Sequence, residues 1–297
     1  MGNILKLGIP KGSLEKATIE LFEKAGWTIK IKSRNYFPTI NDNEISCAIV
    51  RAQEMARYVE TGVFDVGLTG LDWILENNAD VEMITDLVYS KSSTKKAKWV
   101  LAVPAASTIN SIEDCSGKKI STELVNFTRR YFEERNIPVE VEFSWGATEA
   151  KVAGGLVDAI VEVTETGTTI EAHGLRIIHT LLETNTKLIA NKDSMTDPWK
   201  KAKINQIAML LRGALNAENM VGLKMNVPAE KLESVIEILP SITAPTVSRL
   251  YNESWFSVET VVSENVVRKI IPELLERGAD GIIEYSLNKI VNQSELY

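Results

Sequence analysis

The residues best suited to chemistry lie in the run Asp158-Ala-Ile-Val-Glu-Val-Thr-Glu-Thr-Gly-Thr-Thr-Ile170. Asp158 and Glu162 interrupt an apolar strand four residues apart, and the two-residue period of a strand puts both carboxylates on one face. The strand opens into Thr164-Glu165-Thr166-Gly167-Thr168-Thr169. Gly167 permits a tight backbone path, and successive amides with threonine hydroxyls make an anion cradle. Carboxylates accept hydrogen bonds from sugar hydroxyls while such a cradle takes a phosphate, so a ribose 5-phosphate fits. The same residue types also suit a strand followed by a serine- and threonine-rich helix cap.

Two other segments could hold anions. Pro10-Lys11-Gly12-Ser13 joins a first strand to a first helix, where free amides and Lys11 attract negative charge. It is not a P-loop, because no G-x-x-x-x-G-K-[ST] occurs, and taken alone it reads first as a plain strand-to-helix turn. Arg51-Ala52-Gln53-Glu54 and Asp65-Val-Gly-Leu-Thr69-Gly70-Leu-Asp72 fall at expected C-terminal strand ends, where open α/β sheets bind ligands. Arg51 suits a phosphate, while Thr69 and Asp72 suit either a ligand or the cap of a helix from residue 71. His173 and His179 are the only histidines, too few for a Ser-His-Asp or zinc site and read as structural. Chemistry here must rest on positioning and charge stabilisation.

The elements that would position these groups follow from periodicity. Residues 4–10, 45–50, 64–69, 99–103, 118–122, 139–143 and 156–163 are short apolar runs of the buried-strand type. Residues 14–25 carry Leu14, Ala17, Leu21, Phe22 and Ala25 on one helical face with Gly26 as a stop, and 124–135 is a second helix. Alternation of this kind predicts an α/β architecture with largely parallel sheets. Asp197-Pro198 starts a further helix. From residue 220 the order becomes β-α-β-β-α-β, with strands near 220–227, 244–250, 254–262 and 281–290 and helices near 229–239 and 264–277, the ferredoxin-like order. Pro272 predicts a kink or a late start in the second of these helices.

The 297 residues allow one large or two to three smaller domains. A net charge of −7 from 33 basic and 40 acidic residues argues against non-specific nucleic-acid binding, which needs a basic footprint. Cys47 and Cys115 form no disulfide framework or metal spacing and read as reduced thiols. No signal-peptide core or apolar run of membrane-spanning length is expected from the sequence, so the reading is a cytoplasmic protein without membrane or nucleic-acid partners.

Together these segments resemble the long form of the ATP phosphoribosyltransferase family. The likeness covers IPKGSL (9–14), RAQEMARYVETGVFDVGLTGLD (51–72), NFTRRYFEERNI (126–137), GATEAKV (146–152) and VDAIVEVTETGTTIEAHGL (157–175), and the tail is similar to the family's regulatory domain. The resemblance implies two periplasmic-binding-protein-like lobes around a cleft, the first of 1–95 with 178–215 and the second of 96–177, then a ferredoxin-like regulatory domain of 216–297. It implies transfer of phosphoribosyl from phosphoribosyl pyrophosphate to N1 of ATP with Mg²⁺, at the head of histidine biosynthesis, in homodimers and hexamers.

By the same resemblance Asp158, Glu162 and Lys11 would be catalytic, and Gly12, Ser13, Arg51, Thr69, Asp72, Lys98, Glu149, Glu165, Thr166, Gly167, Thr168 and Thr169 would bind substrate. L-Histidine would inhibit from a site near Thr246 and Ser248. The chain departs from the family pattern at Ser13, where many relatives carry Arg, at Val152 in place of Pro, and at Ser121-Thr122-Glu123-Leu124, which lacks a Tyr-Pro. A solute-binding protein of the same fold, a purely regulatory protein and phosphoribosyl transfer to another base are the alternatives.

Overall fold

Strand β1 (Leu5–Lys11) buries Leu5, Leu7 and Ile9 completely and is exposed at Lys6 and again at its end, Lys11. A side chain of this size removed from water contributes about 1.5–3 kcal/mol, so such a strand belongs at the centre of a layered domain. The computed structural model describes residues 3–31, 36–89, 96–146, 148–242 and 244–293. Ala147, within the 146–152 resemblance, therefore lies outside the described residues.

After β1 come α1 (Glu15–Ala25), β2 (Ile29–Lys30), β3 (Thr39–Ile40), β4 (Ile45–Arg51), α2 (Ala52–Glu60), β5 (Val66–Gly70), α3 (Leu71–Asn77) and β6 (Glu82–Leu87). Helix α1 buries Thr18, Leu21, Phe22 and Ala25 and ends at Gly26, whose left-handed backbone lets the Trp27 amide reach the Phe22 carbonyl at 2.8 Å. The chain then crosses to β7 (Ala97–Pro104), β8 (Lys119–Thr122), α4 (Val125–Glu133), β9 (Glu140–Phe143), α5 (Thr148–Ala153), β10 (Ala159–Thr164), α6 (Thr168–Ala172) and β11 (Leu175–Thr184). It returns through β12 (Thr186–Ala190) and α7 (Lys192–Thr196) into α8 (Pro198–Asn216).

Two five-stranded sheets result, in the orders β4-β1-β5-β12-β6 and β11-β7-β10-β8-β9. These are the two lobes the resemblance implies. The sheets are mixed rather than largely parallel: β12 runs antiparallel to β5 and β6, and β7 antiparallel to β10 and β11. The strands that carry the chain from one lobe to the other enter their new sheet against its grain, and apolar periodicity does not encode strand direction. The return also comes later than the expected boundary at 177/178, because β11 stays in the second sheet to Thr184. Two irregularities, between Ile177 and His179 and between Thr180 and Leu182, break its alternation and hide it from a period-two reading.

The lobes are also joined through α3 and α4. The Glu76 carboxylate accepts the Asn126 and Phe127 amides at 3.0 and 2.8 Å, capping α4, while the Arg130 guanidinium donates to the Leu75 carbonyl near the end of α3. Each helix thus meets a charge that opposes its own terminal dipole.

Contacts divide the chain into residues 1–208 and 209–297, the division falling inside α8 rather than at 216. The second unit holds β13 (Met220–Pro228), α9 (Leu232–Ile236), β14 (Thr246–Arg249), β15 (Trp255–Ser263), α10 (Glu264–Glu276) and β16 (Asp280–Ser286). Its antiparallel sheet has the order β14-β15-β13-β16, the ferredoxin-like arrangement. One face packs Val221, Leu223, Met225, Val258 and Val262 against Val235, Val267, Ile270 and Leu274 of the helices. No late start occurs at Pro272: α10 begins at Glu264 and carries the proline inside, at the loss of one backbone hydrogen bond. Among the described residues no helix is long and apolar enough to cross a membrane.

Candidate active site

A cavity of about 550 Å³ opens between the two sheets of the first unit. One wall comes from strand ends: Lys11 closes β1, with Gly12 and Ser13 following, and Arg51 closes β4. Glu162 and Glu165, near the end of β10 and just beyond it, line the opposite lobe's side. Both lobes therefore present C-terminal strand ends, where backbone amides are left unpaired and loops can vary without disturbing the core. Cations from one lobe and carboxylates from the other share a single space.

Glu162 is the carboxylate whose surroundings matter most. Burial raises its pKa, and the nearby Glu149 and Glu123 charges push the same way, against hydrogen bonds from the Val163 amide and Thr148. Glu123, which also lines the cavity, is raised by burial and by the Asp72 charge, opposed by the Gly146 amide. The cavity thus has an acidic side that favours a cation, a sugar hydroxyl or a proton.

Asp72 lines the cavity, but its carboxylate is committed to a bridge between the lobes. Its carboxylate accepts from Trp99 Nε1 at 2.8 Å and from the Thr184 hydroxyl at 3.1 Å, joining α3 of one lobe to β7 and β11 of the other. Burial raises its pKa in spite of those bonds. Gly70 makes room for it, since a Cβ there would lie 2.0 Å from Asp72 Oδ1. Trp73 meets Trp99 edge-on, with centroids 6.2 Å apart.

Several expected residues fall elsewhere. Asp158 precedes β10 at the end away from the cavity; its carboxylate accepts the Lys119 amide at 2.9 Å and pairs with Lys118 at 3.7 Å. Asp158 lies just before β10, and the four-residue spacing puts it roughly 13 Å along the chain from Glu162, at the opposite end of the strand. Thr69 is fully buried, and its hydroxyl donates to the Ala52 carbonyl at 2.7 Å, fastening β5 to the start of α2. Lys98 does not line the cavity, being paired with Glu183 across β7 and β11 at 3.5 Å; its neighbours Ala97 and Trp99 do. Glu149 acts on Glu162 through charge without lining the cavity.

Thr166, Thr168 and Thr169 are exposed just beyond Glu165 and do not line the cavity themselves. The loop is held in shape internally: the Gly167 amide donates to Thr164 Oγ1 at 2.8 Å, and the Thr166 and Thr168 hydroxyls meet at 2.9 Å. Gly167 has φ 84°, and a Cβ there would press on Ile177 at 3.2 Å, so glycine is required. His173 Nδ1 bonds the Thr169 carbonyl and His179 Nε2 the Tyr131 hydroxyl, both at 2.7 Å, the structural use expected of them.

Trp73, Tyr89, Trp99, Glu123 and the run Thr184-Asn185-Thr186 line the cavity without having been singled out from sequence. The last had a readable signal, a polar break between the apolar runs of β11 and β12. The aromatic residues had none, since each looks like ordinary core until the lobes are brought together.

Comparison with known proteins agrees over nearly the whole chain. Residues 51–213 match the family described as HisG: ATP phosphoribosyltransferase, and residues 217–289 match HisG, C-terminal domain. The ATP phosphoribosyltransferase of Desulfatibacillum aliphaticivorans is 65% identical over 98% of this chain and 100% of its own length. That of Solidesulfovibrio magneticus is 65% identical over 97% and 99%. Among solved structures, the Thermotoga maritima ATP phosphoribosyl transferase (HisG:HisZ) complex aligns with TM-score 0.61 and 28% identity, covering 70% of this chain and 96% of that one. The chain belongs to the ATP phosphoribosyltransferase family, in the long form that carries its own C-terminal domain.

Proposed function

We propose that the cavity transfers the 5-phosphoribosyl group of phosphoribosyl pyrophosphate to N1 of ATP, releasing pyrophosphate, as the first step of histidine biosynthesis. The observation that carries this reading is the facing of Lys11 and Arg51 by Glu162 and Glu165 across one cavity. Phosphates need the first pair, and a ribose that gains positive charge needs the second.

Lys11, Arg51 and the Gly12 and Ser13 amides hold pyrophosphate or nucleotide phosphates. Glu162 accepts hydrogen bonds from ribose hydroxyls and faces the ring carbon as the C1–O bond lengthens. The exposed Thr166–Thr169 loop takes the 5-phosphate through amides and hydroxyls. The N1 lone pair forms the new bond opposite the departing pyrophosphate, which leaves with the electrons of the C1–O bond. No covalent enzyme intermediate is needed.

The resemblance implies Mg²⁺. It would arrive on substrate phosphates and borrow one or two carboxylates, for which Glu162 and Glu165 line the cavity. Bound there, it would offset charge on the leaving group. The reading further takes the enzyme as cytoplasmic, supported by two free buried cysteines. It also takes it as a homodimer or hexamer inhibited by L-histidine at the C-terminal domain, which residues 217–289 supply.

Pyrophosphate release by the purified chain tests the reaction. Release is expected only when ATP and phosphoribosyl pyrophosphate are both present with Mg²⁺. Release with a different base in place of ATP, and none with ATP, would replace this acceptor.

A further inference from the structure

Beside the cavity an indole is held in the open. Trp145 is 66% exposed and Phe143 is 56% exposed, with ring centroids 6.1 Å apart at 71°. Scattered exposed aromatics are ordinary. This pair differs in two respects. First, the loop that carries it is anchored on both sides. Ser144 is buried; its amide donates to the Thr122 carbonyl at 2.9 Å, and its hydroxyl accepts from Thr148 at 3.1 Å. The Gly146 amide bonds Glu123, which lines the cavity. The indole is therefore presented, not left to drift.

Second, Arg51 reaches it from the other lobe, its guanidinium carbon 4.7 Å from the ring centroid. A planar, delocalised cation is lying on an aromatic face at the edge of a cavity built for anions. Polyphosphate binds a guanidinium through paired, charge-assisted hydrogen bonds, so a phosphate ligand in the cavity competes for Arg51. Its departure frees a flat surface of the size a purine covers.

We propose that Trp145, edged by Phe143, is the surface on which the base of the nucleotide acceptor stacks, with Arg51 passing from the ring to the nucleotide's phosphates on binding. The assignment rests on the reading of ATP as acceptor. Stacking tolerates any base and scales with ring area, so Trp145 supplies affinity for the base while N1 selectivity resides elsewhere.

The test is calorimetric binding of ATP and of inorganic tripolyphosphate to full-length wild-type, Trp145→Ala and Trp145→Phe proteins. Trp145→Ala is expected to weaken ATP by about 10-fold relative to tripolyphosphate, the scale of one lost base stack, while tripolyphosphate, freed of the ring's competition for Arg51, binds as tightly as to wild type or tighter and the KM for phosphoribosyl pyrophosphate does not rise. Trp145→Phe should recover most of the ATP affinity. Wild-type ATP affinity in Trp145→Ala would overturn the assignment while sparing the acceptor reading. Equal weakening of ATP and tripolyphosphate would also overturn it, since the ring would then act only by holding Arg51. A wild-type protein that releases pyrophosphate with another base and does not bind ATP would remove both.

Discussion

Glu162 lies within β10 and Asp158 just before it, yet their surroundings give them different work. Glu162 is buried among other acids and lines the cavity, whereas Asp158 is spent on the Lys119 amide and Lys118. Because the pKa of Glu162 is raised, it is neutral over a range where an ordinary glutamate, near 4.3, is already charged. If it faces the developing ring charge, kcat/KM should rise with pH through that raised value. Glu162→Gln is expected to lower kcat/KM by about 10-fold or more and to abolish this acid limb. Glu149→Gln, by removing a neighbouring negative charge, should move the limb to lower pH. An unchanged profile in both variants would dismiss Glu162 from the chemistry. Asp158→Asn, in contrast, should keep kcat/KM near wild type while lowering Tm, and a loss on the scale of Glu162→Gln would return Asp158 to the site.

Elements depend on charges that sequence patterns conceal. Asp65, at the entrance to β5, is buried; it accepts the Lys6 amide at 2.8 Å, the Ser194 hydroxyl at 2.7 Å and Lys200 Nζ at 2.7 Å. It ties β1 to α7 and α8. Burial by itself would raise its pKa, but the bonds from Lys200, Lys6 and Ser194 outweigh it and hold the carboxylate below its ordinary value. A depressed carboxylate contributes stability that is present above its unfolded pKa of about 3.9 and lost as pH falls through the lower folded value. Asp65→Asn should cost about 2–3 kcal/mol at neutral pH, the scale of charge-assisted hydrogen bonds to one buried group, and flatten the acid side of the stability curve below pH 4. Equal acid unfolding of the two proteins, followed by circular dichroism, would contradict this. The Asp65 knot also marks what the sequence could and could not tell. Asp65-Val-Gly-Leu-Thr69 was legible as a strand, because its apolar run is local. That Lys200 would return to it 135 residues later was not. Likewise Lys11, Arg51 and Glu162 were readable because each sits at a strand end fixed by nearby residues. The misplacement of Asp158, Thr69 and Lys98 came from contacts made across strands, where spacing gives the face but not the end of the strand or the partner.

At the scale of the molecule, the two units divide the residues cleanly. Among the described residues every one that lines the cavity lies before residue 208, while the C-terminal unit has its own core and its own sheet. A unit that contributes nothing to the cavity yet folds around a separate core is suited to bind something of its own. On its edge strand β14 Thr246 and Ser248 are exposed, paired with Glu259 and Ser257 of β15. Hydroxyls beside a carboxylate can take both ends of an amino acid, the carboxylate at the hydroxyls and the ammonium at Glu259. If L-histidine binds there, it acts at a distance and must favour one arrangement of domains or subunits over another, since a ligand with no preference shifts nothing. Histidine is then expected to lower the rate without competing with phosphoribosyl pyrophosphate and ATP for the cavity. The double variant Thr246→Val, Ser248→Ala should keep the uninhibited kcat and need about 10-fold more histidine for half inhibition, the loss of roughly one strong hydrogen-bonding contact. Inhibition that is competitive with both substrates and untouched by the double variant would place histidine in the cavity and leave Thr246 and Ser248 without a ligand.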